Sequence, residues 1–291
     1  MATSTSMKKF YTALVGTVSL AIGGVITLPE QARAASFNYT NFSSTNEFTL
    51  NGNAAQFGDR LRLTPSADYQ AGAAWYNTKQ LVQEGFESTF QFQITELVDG
   101  GADGLAFVIQ NSSLSALGST GGNIGYSNIS NSLAIEFDTW QNAQIGNGDP
   151  NNNHISVQTR GTLANSSDHI YSLGFTTIPS LSNQQIHTAK IAYTPGSLSI
   201  FLDDLLNPAL TVSVDLANTL NLDNGKAWLG FTAATGASWE NHDIISWSHT
   251  DEVTSVPEPS FALGLLIVSA FSFSSLLKHK YQQKADDFNL K

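Results

Sequence analysis

The pattern that fixes the architecture of this chain reads Ala134-Ile135-Glu136-Phe137-Asp138-Thr139-Trp140-Gln141-Asn142, followed after six intervening residues by Asp149-Pro150-Asn151-Asn152-Asn153-His154. On a β-strand, Glu136 and Asp138 project from the same face. Two carboxylates on one face repel each other unless a cation lies between them. Asn142, Asp149 and His154 follow on a loop that can fold back over that face. Oxygen ligands suit calcium, and an added imidazole suits manganese or another transition ion. A solvated Asn/Asp turn beside a strand fits this composition equally well.

Strand signals extend outward from this segment in both directions. Residues 86–94 alternate between apolar and polar side chains, which predicts a half-buried strand. Two more alternating runs, 188–193 and 198–202, flank Pro195-Gly196 and predict a β-hairpin. The short apolar runs 105–109 and 133–137 are typical of strands that are buried on both faces. No comparable helical period occurs between residues 36 and 255, so the pattern predicts an all-β sandwich or barrel.

Composition restricts the function classes. Charged residues make up 13% of the 291 residues, about half the usual share, and the net charge is −11. Binding to a phosphate backbone requires basic clusters, so this net charge argues against nucleic acid as a partner. The chain has no cysteine, which excludes disulfides and thiolate metal sites. Between the two termini, residues 36–250 have a length that fits one domain.

The N-terminus predicts export. Lys8 and Lys9 precede an apolar run over 11–28, and the small-x-small pattern Ala32-Arg33-Ala34 follows. These are the parts of a secretory signal peptide, here residues 1–34. An uncleaved N-terminal anchor is the alternative interpretation.

The C-terminus predicts a sorting and anchoring segment. A linker over 251–259 contains Pro257-Glu258-Pro259, an apolar helix is expected over 260–277, and a basic and polar tail occupies 278–291. An apolar helix followed by lysines fits a membrane anchor with its positive end inside. The arrangement resembles the PEP-CTERM signal of bacterial surface proteins, which implies an exosortase-type sorting enzyme as a partner. We therefore expect a protein that is membrane-anchored at the cell surface, or extracellular after tail processing. A plain C-terminal anchor is the alternative.

The 134–154 segment resembles the metal loop of the legume (L-type) lectins. The matching residues are Glu136, Asp138, Trp140, Asn142, Asp149, Pro150 and His154. The resemblance implies a concanavalin-like jelly-roll β-sandwich. It assigns Ca²⁺ to Asp138, Asn142, Asp149 and the backbone carbonyl of Trp140. It assigns Mn²⁺ or another transition metal to Glu136, Asp138, Asp149 and His154.

Three further segments resemble the sugar pocket of the same family. Residues 101–107 match the segment whose Asp, here Asp103, accepts hydrogen bonds from sugar hydroxyls after a cis Ala-Asp peptide. Residues 120–125 match the glycine loop, which assigns a backbone donor to Gly122. Residues 228–238 match the segment whose loop sets specificity, which assigns sugar contacts to Ala237 and Ser238. Asn142 supplies an amide donor and Trp140 an aromatic platform. The resemblance thus implies calcium-dependent binding of extracellular or cell-surface polysaccharide.

Two rival functions are compatible with a β-sandwich of this kind. Retaining glycoside hydrolases on a similar sandwich carry Glu-x-Asp-x-x-Glu, whereas Gln141 stands here where the second acid is required. An amide cannot protonate a leaving group, so we expect a binding protein and not an enzyme. A structural adhesion or matrix protein without sugar binding is the other rival, and the sequence leaves a homo-oligomer open.

Overall fold

The computed structural model of the chain describes residues 36–143 and 148–251. The predicted signal peptide 1–34, the linker beyond Asp251, the apolar helix 260–277 and the tail 278–291 lie outside the described residues. Within these residues, no helix is sufficiently long and apolar to traverse a bilayer.

The described residues form two antiparallel eight-stranded sheets. The strands are β1 (Ser36–Tyr39), β2 (Phe48–Gly52), β3 (Ala55–Phe57), β4 (Arg60–Thr64), β5 (Ala71–Tyr76), β6 (Gln80–Leu81), β7 (Phe86–Val98), β8 (Gly104–Gln110), β9 (Ser132–Asp138), β10 (His154–Thr159), β11 (Ser172–Thr177), β12 (Ile186–Thr194), β13 (Ser197–Leu202), β14 (Leu210–Val212), β15 (Lys226–Ala234) and β16 (Trp239–Thr250). Sheet A has the order β14-β13-β12-β7-β16-β4-β3, with β1 also paired to β16, and sheet B has the order β11-β10-β9-β8-β15-β5-β2, with β6 also paired to β15. The helical elements are α1 (Leu216–Thr219) and two 3₁₀ turns, Gly121–Asn123 and His169–Tyr171.

Sheet A shows the predicted alternation. Every second residue of β7 from Phe86 to Ile94 is buried, and the residues between them are half-buried. The predicted hairpin is also confirmed, because Thr194 pairs with Ser197 and Ala189 pairs with Leu202. One face of sheet A therefore packs on the core, and the sandwich prediction is confirmed.

Strands β8 and β9 of sheet B are buried at every residue, as their continuous apolar runs predict. One face packs into the main core between the sheets, with Phe107 and Phe137 among the contacts. The other face packs under the segment 111–131, where Trp75 and Tyr126 fill a second apolar cluster. The Trp75 indole donates to the Ala116 carbonyl at 2.8 Å, which fixes this segment on the sheet.

Strand register brings several loops to one end of sheet B. Gly104, at the start of β8, pairs with Asp138 at the end of β9 and with Ala234 at the end of β15. Asp138 in turn pairs with His154, which begins β10, and Ala234 pairs with Ala71, which begins β5. The segments 65–70, 99–103, 139–143, 148–153 and 235–238 consequently lie at the same end of the sheet B strands.

Candidate functional site

A cavity of about 200 Å³ lies among these loops. It contains all six residues that the sequence analysis assigned to sugar binding, although they come from four separate segments. Its lining consists of Tyr69, Ala102, Asp103, Gly121, Gly122, Trp140, Asn142, Gly236, Ala237 and Ser238. The structure thus brings the predicted binding residues together in one concave site.

Asp103 forms the floor of the cavity, and its side chain is only 2% exposed. The Ala102–Asp103 peptide bond is cis, as the resemblance implies. The Asp103 N–H donates to the Ala234 carbonyl at 2.9 Å, and the Asp103 carbonyl accepts from the Thr139 N–H at 3.0 Å. Both neighbouring strands therefore hold its backbone.

The Asp103 carboxylate has one oxygen in use and one available. Oδ1 accepts weakly from the Asn142 side-chain amide at 3.5 Å. Oδ2 has no hydrogen-bond partner among the described residues. Burial raises the pKa of Asp103 to about 7, the Asn142 hydrogen bond opposes this, and the charges of Glu240 and Asp149 add to it. A buried acceptor of this kind is stabilised when donors such as hydroxyl groups reach it.

The loop after β9 supplies Trp140 and Asn142. The Trp140 N–H donates to Asp138 Oδ1 at 2.8 Å, and the Asn142 N–H donates to Asp149 Oδ2 at 2.6 Å. The two acidic side chains therefore bend the loop back over the strand end. The Trp140 side chain remains 37% exposed beside the cavity, which leaves an indole surface available.

Glycines keep the cavity open on its other side. The 3₁₀ turn Gly121–Asn123 carries Gly122, and the Gly121 N–H donates to the Thr235 carbonyl at 2.9 Å. A Cβ atom on Gly236 would lie 3.0 Å from Asp103 Oδ2. Glycine at this position therefore leaves the approach to the carboxylate oxygen unobstructed.

Next to the cavity, Asp138, Asp149 and His154 form a buried cluster. One ligand atom of each lies within 4.8 Å of the other two. Burial and the neighbouring carboxylates, Asp149 and Glu136, raise the pKa of Asp138 well above its ordinary value. Burial also raises the pKa of Asp149 to about 6 and lowers that of His154 to about 4. Each shift reflects the cost of placing charge here without a counter-ion.

The cluster fits a divalent cation. Both ring nitrogens of His154 and the Asn142 side-chain oxygen are buried and lack hydrogen-bond partners among the described residues. Buried carboxylate and amide oxygens suit Ca²⁺, and a neutral imidazole beside carboxylates suits Mn²⁺ or a similar ion. Asp138, Asn142 and Asp149 would hold the first ion, and Asp138, Asp149 and His154 the second.

Glu136 lies outside this cluster, although it is on the same face of β9. The Tyr126 hydroxyl donates to its Oε1, and the Gln158 amide donates to its Oε2 at 3.3 Å. Burial raises the pKa of Glu136 to about 8. Its assignment as a ligand of the transition metal stays a prediction.

Several residues of the site were not predicted from the sequence. Tyr69 contributes to the cavity wall from the loop before β5. The Thr139 hydroxyl donates to Glu240 Oε1 at 2.7 Å, and a Cβ atom on Gly101 would collide with Glu240 Oε2 at 2.0 Å. Glu240, which is fully buried, therefore supports the loop that carries Asp103. No local pattern signals these residues, because each becomes relevant only through the packing of loops that are distant in sequence.

Comparisons with known proteins agree with this geometry. The lectin of Bauhinia forficata is 30% identical over 242 residues, which cover 76% of this chain and 97% of that protein. Its structure in complex with GalNAc superposes with a TM-score of 0.63, and the match covers 76% of this chain and 100% of that one. The alpha-methyl-mannoside-specific lectin of Arachis hypogaea is 29% identical over 265 residues, which cover 80% of this chain and 89% of that protein.

The family model for the legume lectin beta-barrel domain matches residues 37–247, which include both sheets, the cavity and the acidic cluster. Proteins of this family bind carbohydrate, and they generally bind Ca²⁺ and Mn²⁺. The chain belongs to the legume (L-type) lectin family.

Proposed function

We propose that this protein is a calcium-dependent lectin that binds extracellular or cell-surface polysaccharide through the cavity around Asp103. The single observation that carries the proposal is the free carboxylate oxygen of Asp103, buried at the floor of a cavity beside a cluster of metal-type ligands. A sugar presents hydroxyl donors that such an acceptor lacks. Other lining groups complement the rest of a sugar ring.

Each lining group has one role in this proposal. Asp103 accepts from two neighbouring hydroxyls, and the Asn142 amide, 3.5 Å from Asp103, donates to one of the same oxygens. Gly122 supplies a backbone donor, and Ala237 and Ser238 contact the ring from the specificity loop. The half-exposed indole of Trp140 covers the apolar C–H face of the ring.

A cation at the acidic cluster would act on this site indirectly. It supplies the positive charge that keeps Asp138 and Asp149 ionised when they are buried. In that state both carboxylates retain their hydrogen bonds from the Trp140 and Asn142 N–H groups. The loop then presents Trp140 and Asn142 to the cavity, so binding depends on the metal without a metal–sugar bond.

Catalysis is not part of the proposal. The Gln141 amide donates to the Asp149 carbonyl at 3.1 Å, so this side chain serves the loop and has no acidic proton to give. The relatives from Bauhinia forficata and Arachis hypogaea, which the chain matches over most of their length, are named as lectins. Export and sorting to the cell surface are also proposed, supported by the signal-peptide pattern and the Pro257-Glu258-Pro259 segment.

A glycan array tests the proposal. The full chain, stripped with EDTA, is applied with and without Ca²⁺, alongside Asp103→Ala and the exposed-carboxylate control Asp59→Ala. We expect calcium-dependent binding that Asp59→Ala retains and Asp103→Ala loses. Binding to no glycan by a folded, calcium-loaded protein would contradict the proposal and favour the structural-adhesion alternative; cleavage of a glycan would favour the hydrolase.

Specificity is open between at least two sugar classes. The Bauhinia forficata lectin is complexed with GalNAc, whereas the Arachis hypogaea lectin is specific for alpha-methyl-mannoside. GalNAc and methyl α-mannoside are therefore both needed among the sugars tested with this chain.

A further inference from the structure

Tyr69 is an aromatic residue of the cavity wall that has no assigned role. It lies in the loop between β4 and β5, and its side chain is 62% exposed. A single exposed tyrosine is ordinary on a protein surface. This one shares a cavity with Asp103 and Trp140, which makes it a candidate for ligand contact.

The loop that carries Tyr69 is held firmly to the binding site. The Tyr69 N–H donates to the Gly236 carbonyl at 3.1 Å. Buried Thr235 is bonded on both sides: its hydroxyl donates to the Ala67 carbonyl at 2.7 Å and accepts from the Gln70 N–H at 2.9 Å. The position of Tyr69 is therefore fixed relative to the specificity loop.

The backbone of Tyr69 adopts a conformation that a tyrosine does not favour on its own. Its φ angle is +50°, in the left-handed region that bulky residues rarely adopt. Such conformations persist when surrounding contacts determine them, and they are frequent at ligand sites. The surrounding bonds fix the backbone from which the exposed Tyr69 side chain extends beside the cavity.

The volume of the cavity limits how much of a ligand it can enclose. A volume of about 200 Å³ is small beside the roughly 300–1,000 Å³ typical of ligand pockets, so it accommodates little more than one sugar ring. Asp103, Asn142 and Trp140 provide for that ring. Any continuation of the ligand must leave through the mouth, where Tyr69 is exposed.

We infer that Tyr69 forms a second carbohydrate subsite, where its ring stacks on the sugar residue linked to the one held by Asp103. The ligand class is accordingly an oligosaccharide or polysaccharide chain and not a free monosaccharide. This inference rests on the proposed lectin function of the same cavity. The sugar presents an apolar C–H face, and the exposed ring of a tyrosine with a hydrogen-bonded backbone offers a matching surface.

Calorimetric titration of the full, calcium-loaded chain tests this inference. The single-sugar probes are methyl α-mannoside and N-acetylgalactosamine, and the extended probes are di- and trisaccharides that end in the same residues. We expect wild type to bind the extended form more tightly. Tyr69→Ala should lose about three- to tenfold in affinity for the extended form and a clearly smaller factor for the single sugar. Tyr69→Phe, which keeps the ring, should match wild type.

The possible failures are distinguishable. Single-sugar binding by wild type without any gain for the extended probes would overturn the subsite and leave the lectin proposal intact. Equal losses for both probe lengths in Tyr69→Ala would also overturn it, because the ring would then act on the primary site. Absence of binding to every probe by the wild type would overturn both proposals.

Discussion

Adding one methyl group at Gly236 should block the cavity without disturbing the fold. Gly236 does not adopt a left-handed backbone conformation, so alanine fits its backbone. The new Cβ atom would lie 3.0 Å from Asp103 Oδ2 and 3.6 Å from the Gly121 Cα. These contacts place the methyl group where a ligand hydroxyl would approach the carboxylate.

The geometry gives the size of the effect. A hydroxyl bonded to Oδ2 needs an O···O distance of about 2.7 Å, and the methyl group occupies that side of the oxygen. One hydrogen bond to a charged acceptor is then lost, which costs about 1.5–3 kcal/mol. Sugar affinity in Gly236→Ala should consequently fall roughly ten- to 150-fold.

Isothermal titration calorimetry with the preferred array sugar measures the change. Gly196→Ala is the matched control: Gly196 lies in the β12–β13 turn with open space around its Cβ position and a φ of +91°. This control should lose about 1 kcal/mol of stability through backbone strain and keep full affinity. Unchanged affinity in Gly236→Ala would show that ligand does not approach Asp103 Oδ2, and the assignment of that oxygen would be wrong.

Three further predictions concern the scaffold. Burial lowers the pKa of His249 from 6.5 to about 3, so as pH falls below 6.5 the unfolded chain binds a proton at this residue and the folded chain does not. The unfolding free energy of the wild type should therefore fall by about 2–3 kcal/mol between pH 7 and about pH 4.5 because of this residue, and His249→Phe should remove that loss in urea denaturation. An unchanged pH dependence in His249→Phe would contradict this assignment. Arg62 bonds both oxygens of buried Asp243 at 2.7 and 2.8 Å, and Arg62→Ala should cost about 3 kcal/mol in the same assay, whereas a cost below about 1 kcal/mol would indicate that Arg60 compensates. Thr139→Val removes the donor to Glu240 and should lower the unfolding free energy by about 1–3 kcal/mol; no loss would mean that this bond contributes nothing to the loop.

Much of the fold was predictable because its signals are local. The alternation along β7 shows which of its side chains face the core. Pro195-Gly196 marks the turn of the β12–β13 hairpin. The apolar runs of β8 and β9 correctly indicated burial on both faces. What covers the outer face was not predictable, since the segment 111–131 shows no periodic pattern and packs there through Trp75 and Tyr126.

The candidate site was predictable only where the family resemblance supplied positions distant in sequence. Asp103 and Asn142 are 39 residues apart, and only the register of β8 against β9 brings them into contact. Tyr69 and Glu240 were missed because their relevance comes from loop packing, which neither composition nor spacing records. The Tyr126 hydroxyl on Glu136 was missed for the same reason, as it reaches the strand from the covering segment.

A crystal structure of the calcium-loaded protein with its preferred sugar tests the central claim most directly. We expect one sugar ring in the cavity, with a hydroxyl within hydrogen-bond distance of Asp103 Oδ2, the ring face on Trp140, and Ca²⁺ coordinated by Asp138, Asn142 and Asp149. A sugar bound elsewhere on the sandwich, or in this cavity without contact to Asp103, would contradict it.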